Sequence, residues 1–124
     1  MLFKGFYNNE KTISSDHNKL ITRIKLNKDH DIYNGHFPNN PIIPGVIIIQ
    51  IIKEILEEHL GCELFLREII NIKYISPINP IINNSLLFEI YLQKENKSII
   101  VKNNIMLDNA KIAVKFKGKF LKKS

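Results

Sequence analysis

Between Leu20 and Leu26 the chain reads LITRIKL, with apolar and polar side chains alternating so that Leu20, Thr22, Ile24 and Leu26 share one face. Period-two alternation predicts a half-buried strand. Residues 27–40 then gather Asn, Asp, Gly, His and Pro, which bond to their own backbone or fix φ, and predict an irregular loop. From Gly45 the character changes: Val46, Ile47, Ile48, Ile49, Ile51, Ile52, Ile55 and Leu56 are apolar, and KEILEEHL and Gly61 follow. The β-branched residues favour strand locally, but the length of the segment, the helical spacing of KEILEEHL and the glycine stop predict a helix. Its first two turns are apolar nearly all round, so it is expected to be enclosed on most sides. Further strands are predicted at Glu68–Ile75, Leu86–Gln93, Ser98–Leu107 and Lys111–Leu121, separated by SPINPIINN, KEN and DNA turn signals. Several antiparallel strands and one apolar helix bury each other when the sheet curves around the helix.

A length of 124 residues suits one domain without a linker, and 44% hydrophobic with 24% charged residues excludes a disordered chain. The first residues hold too short an apolar run for a signal peptide, and no stretch approaches the roughly 18 apolar residues of a membrane helix. A cytoplasmic protein without a membrane span is expected. The lone Cys62 has no partner in its own chain and follows Gly61, a place for a small packing residue rather than a nucleophile. A formal charge of +6 favours acidic partners. Lys115, Lys117 and Lys119 alternate as on a strand's solvent face, and no zinc-finger spacing, basic helix or aromatic RNA-binding motif accompanies them, so nucleic acid is not expected. His17, His30 and His59 show no metal-ligand spacing and are expected to face solvent. Neither a metal nor a cofactor is expected.

The densest motif is GHFPNNPIIPGV, residues 35–46, with the helix directly behind it. His36, Phe37, Pro38, Pro41, Pro44, Gly45 and Val46 stand at the spacing of the 3-hydroxyacyl-[acyl-carrier-protein] dehydratases, which the segment closely resembles. IKYISPINP, residues 72–80, more weakly resembles that family's strand and turn after the helix. The resemblance implies a hot-dog fold, α+β, with a curved antiparallel sheet wrapped around one long central helix. It implies an acyl carrier protein as partner, a homodimer with active sites at the interface, and a trimer of such dimers as the larger assembly. It also implies dehydration of a (3R)-3-hydroxyacyl thioester to the trans-2-enoyl form.

The residue types suit that chemistry. Three prolines within seven residues fix φ repeatedly and stiffen the loop that carries His36. Pro44 and Gly45 open the helix, whose unpaired first-turn N–H groups and dipole favour developing negative charge. A thioester carbonyl bonded by the Gly45 N–H would be polarised toward an enolate. His36 is the candidate base because imidazole titrates near neutral pH. Phe37, Pro44 and Val46 are the candidate substrate-binding residues.

One position departs from the family. Fourteen residues after His36, where the resemblance implies a helix carboxylate reached across the dimer interface, this chain has Gln50. Loss of a general acid costs on the order of 100- to 10,000-fold in rate. Either His36 serves both proton transfers while Gln50 orients the hydroxyl, or the groove binds acyl carriers without dehydrating them or hydrolyses the thioester. A related chain supplying the acid is a further arrangement. Glu54 and Glu57 lie one and two turns beyond Gln50 and are expected on a solvated helix end. The apolar helix is expected to be core, with one stripe lining an acyl tunnel. Gln50 admits a specialised lipid or polyene pathway as readily as fatty acid synthesis.

Overall fold

The computed structural model describes residues 4–35 and 42–123. Six strands and one helix follow in the order β1 (Tyr7–Ser15), β2 (Lys19–Leu26), α1 (Gly45–Leu60), β3 (Leu64–Tyr74), β4 (Ser85–Glu95), β5 (Ser98–Met106) and β6 (Ile112–Lys122), with a short 3-10 helix at Asp31–Gly35. The strands form one antiparallel sheet in the order β1-β2-β4-β5-β6-β3.

Alternation decides which face each strand buries. Leu20, Thr22, Ile24 and Leu26 all point inward, as their spacing predicts, and so do Leu86, Phe88, Ile90 and Leu92 on β4. On β6, Val114, Phe116 and Phe120 face the core while Lys115 and Lys117 face solvent. Gly118 lies between these rings on the same face. A Cβ there would stand 2.5 Å from Phe116 Cζ, so the missing side chain gives the ring its place.

Helix α1 closes the core with Ile47, Ile48, Ile51, Ile52, Ile55 and Leu56, and ends at Gly61 in the left-handed region (φ 69°), whose N–H donates to the Glu57 carbonyl. Of its sixteen residues only Val46 and Glu58 are exposed, and Val46, at 76%, is the apolar one that the fold leaves uncovered.

The strand missing from the sequence reading is β1. It is an edge strand whose residues beyond Tyr7 are largely exposed, and its register to β2 is broken between Asn9 and Lys11 and again between Thr12 and Ser14. Bulges erase period two, and an edge held chiefly by backbone bonds needs no apolar stripe.

Asn103 is a polar misfit inside. It is 1% exposed, points inward between Val101 and Ile105, and pairs across the sheet with Ile90 and Phe116. Among the described residues neither its Oδ1 nor its Nδ2 has a partner. Such a group costs roughly 1–3 kcal/mol, so Asn103→Leu, which keeps the branching at Cγ without the polar atoms, is expected to raise stability. Urea unfolding should show a higher midpoint at an unchanged slope.

Candidate functional site

Two segments far apart in sequence meet at the helix entrance. The Ile43 N–H donates to the Ile78 carbonyl at 3.0 Å, tying the residues before α1 to the Ser76–Pro80 turn after β3. Pro44, half-buried and extended (φ −61°, ψ 143°), is the N-cap, and its carbonyl accepts from the Ile47 and Ile48 N–H groups at 3.1 and 3.3 Å. Among the described residues the Gly45 and Val46 N–H groups have no acceptor. Helix geometry denies them one, and the dipole adds partial positive charge. Beside Gly45 lies a cavity of about 300 Å³ lined mainly by apolar side chains, among them Ile48, Tyr74, Pro77, Ile78 and Val114.

Tyr74 explains why position 45 is glycine. A Cβ at Gly45 would stand 2.5 Å from Tyr74 Oη and 2.8 Å from its Cζ, so the phenol occupies the space a side chain would take. Desolvation pushes the Tyr74 hydroxyl up from the usual phenol range, which keeps it a donor at neutral pH. Gly45→Ala is expected to retain the fold, because Tyr74 is 53% exposed and can swing outward. In a double-mutant cycle on thermal stability with Tyr74→Ala, the two changes should be coupled by about 1 kcal/mol. Strict additivity would mean that the two side chains do not contend for this space.

Gln50 lies elsewhere. Five residues at ~100° each place it ~140° around the helix from Gly45, on the flank of Val46. The structure therefore puts Gly45 at the cavity and Gln50 and Val46 on the other side of the same helix. Gln50 Nε2 donates to Glu54 Oε2 at 3.0 Å, and the Tyr7 hydroxyl donates to Glu54 Oε1 at 2.9 Å. Burial, then the hydrogen bond to Glu54, then the negative charges of Glu54 and Glu58 push the Tyr7 hydroxyl far above the usual phenol range. Glu54 and Glu57 do not form the solvated helix end expected of them. Both are half-buried, and Glu57 Oε2 accepts the Leu64 N–H at 2.9 Å, fastening the helix end to β3.

His36 and Phe37, with Pro38 and Pro41, lie outside the described residues. The chain leading to them is anchored by a ring cluster. Phe6 packs edge-on to His30 at 5.3 Å and against Tyr33 at 5.6 Å. His30 is half-buried rather than solvent-facing: its Nδ1 accepts the Ile32 N–H, so Nε2 carries the proton and donates to the Lys4 carbonyl. His17 is exposed, His59 is half-buried, and Cys62 packs against the core as its position suggested. Among the described residues no cluster of His, Cys, Asp and Glu is arranged to hold a metal ion, and no helix is long and apolar enough to cross a membrane.

Sequence reasoning missed Tyr74, Tyr7 and the role of Glu54. Glu54 had a local signal, since a Gln–Glu pair four residues apart shares a helix face. The tyrosines had none, because both contacts are made across the fold.

A six-stranded antiparallel sheet around one helix, with a cavity at the helix entrance, defines a hot-dog protein, and solved structures agree. The dehydratase heterocomplex ApeI:P from Xenorhabdus doucetiae superposes with a TM-score of 0.74 at 22% identity, over 92% of this chain and 96% of that one. A hypothetical thioesterase with coenzyme A from Streptococcus pneumoniae gives 0.69 at 9% identity, over 95% and 86%. These likenesses carry the fold. The ApeI-like model, described as ApeI dehydratase, matches residues 12–117, and the chain belongs to that family of hot-dog dehydratases. Among curated relatives, the 3-hydroxyacyl-[acyl-carrier-protein] dehydratase FabZ of Ligilactobacillus salivarius is 27% identical over 74% of this chain. That of Fusobacterium nucleatum subsp. nucleatum is 26% identical over 73%. The matches span 65% and 68% of those two relatives' own lengths.

Proposed function

We propose that this protein is a cytoplasmic dehydratase that converts (3R)-3-hydroxyacyl thioesters on an acyl carrier protein to trans-2-enoyl thioesters, in fatty acid or specialised lipid synthesis. The observation that carries the reading is the apolar cavity at the helix entrance, where the unpaired Gly45 N–H adjoins space for an acyl chain. The Gly45 N–H polarises the thioester carbonyl, and His36 removes the α-proton from C2. The same imidazolium then protonates the 3-hydroxyl as the C3–O bond breaks, so that water leaves and the C2–C3 double bond forms.

Because Gln50 lies on the opposite flank from Gly45, a site using both takes them from two copies. A homodimer is the assembly proposed, with β3 at the junction. β3 ends the sheet, and Phe65, Ile69, Ile70 and Tyr74 along it are exposed in the protomer. A second reading pairs this chain with a related one that supplies a carboxylate in place of Gln50. It is favoured by the amide at position 50 and by the heterocomplex among the similar structures.

The test is incubation of the purified protein with 3-hydroxyacyl carrier substrates of graded chain length, with products read by mass. Enoyl product is expected from the protein alone. Product only after addition of a related chain selects the second reading, and none under any condition rejects both.

A further inference from the structure

Gln50 stands where the family resemblance implies a carboxylate, and its side chain is held. Its Nε2 donates to Glu54 one turn along the helix, and the Tyr7 hydroxyl from β1 donates to the other carboxyl oxygen of Glu54. Both oxygens of Glu54 therefore act as acceptors. A carboxyl oxygen that accepts can hold only the nitrogen end of a neighbouring amide. The amide is planar, and with its nitrogen committed to Glu54 its Oε1 is turned away from that residue. Tyr7 keeps the arrangement in place, because its buried hydroxyl retains its proton and reaches Glu54 from a different element.

We propose that Glu54, braced by Tyr7, is a positioning residue that fixes the Gln50 amide with Oε1 presented to the 3-hydroxyl of the bound substrate. The proposal rests on the dehydratase reading. The substrate O–H donates to Oε1, which leaves the lone pairs of the hydroxyl oxygen to the proton that His36 has taken from C2. That proton completes the departing water, and Gln50 neither gains nor loses one. A site with one base needs an acceptor at this position. An N–H aimed at the hydroxyl would compete with His36 for the same lone pairs.

Glu54→Gln removes the constraint, since an amide at position 54 can offer either end to Gln50. Turnover of a 3-hydroxyacyl carrier substrate is expected to fall on the order of tenfold in kcat with KM little changed, because orientation rather than binding is lost. A merely structural role for Glu54 would lower the thermal transition together with kcat, whereas loss of orientation lowers kcat at an unchanged transition. The amide itself can be observed in the 15N-labelled protein, its side-chain signals assigned by their loss in Gln50→Glu. One Nε2 proton is expected downfield of a free amide and should move back in Glu54→Ala. Signals unmoved by Glu54→Ala overturn the fixed orientation, and a kcat unchanged in Glu54→Gln overturns the positioning role. Absence of enoyl product from the wild-type protein, alone or with a related chain, overturns instead the dehydratase reading beneath both. The amide spectrum then still decides how Gln50 is held.

Discussion

His36→Ala is expected to lower enoyl formation by roughly 100- to 10,000-fold, the range associated with loss of a positioned general acid or base. The value should lie toward the upper end, because with an amide at position 50 the same imidazole must both remove the α-proton and protonate the leaving hydroxyl. Gln50→Ala, which removes an orienting group and no proton carrier, should cost far less, about tenfold. The comparison between the two is the informative quantity. A two-base site would suffer similarly from either change, and a chain that only binds acyl carriers would be indifferent to both. Circular dichroism of each variant, with single-turnover product analysis by mass, separates these outcomes from loss of folding.

Ile69→Lys with Ile70→Lys is expected to convert the protein to a monomer and to remove activity with it. Both side chains are exposed on β3 in the protomer, so the substitutions leave the core untouched. Across a joint between two β3 strands, each lysine would be placed where apolar surface is buried. An unpaired buried charge costs several kcal/mol, enough to weaken association by more than about a thousandfold. Lysine on an edge strand also opposes pairing of its free backbone groups with another strand. Light scattering should give half the wild-type mass at an unchanged thermal transition of the chain itself. Full activity from a monomeric variant would show that Gly45 and Gln50 need not come from different copies.

These expectations draw on features that were unequally legible along the chain. β2 follows from period-two alternation, because a sheet with one buried face imposes that period on its sequence, and β3 to β6 follow from the turn signals that separate them. Helix α1 was legible from its length and its Gly61 stop, even through a run of isoleucines. β1 was not, because bulges and backbone-held edges leave no periodic trace. The exposure of Val46 was also hidden: apolar composition shows what a helix can bury, not which of its residues the fold leaves uncovered. Asn103 reads as an ordinary surface residue between lysine and asparagine, and only its place on the inner face makes it costly.

The candidate site divides in the same way. The motif around His36 and Gly45 is local, since stiff prolines, an imidazole and a helix start act within a dozen residues, so the primary structure already contained the catalytic hypothesis. Which groups surround those residues is a matter of long-range packing. Tyr74 fills the space that glycine leaves at position 45, and Ile78 ties the helix entrance to the turn after β3. Tyr7 reaches Glu54 across 47 positions to complete the hold on Gln50. Composition and spacing select the chemistry a chain can offer, because bond-making groups and helix ends are set by neighbours in sequence. The partners that orient those groups come from strands far away in the chain, and folding alone brings them within hydrogen-bond distance.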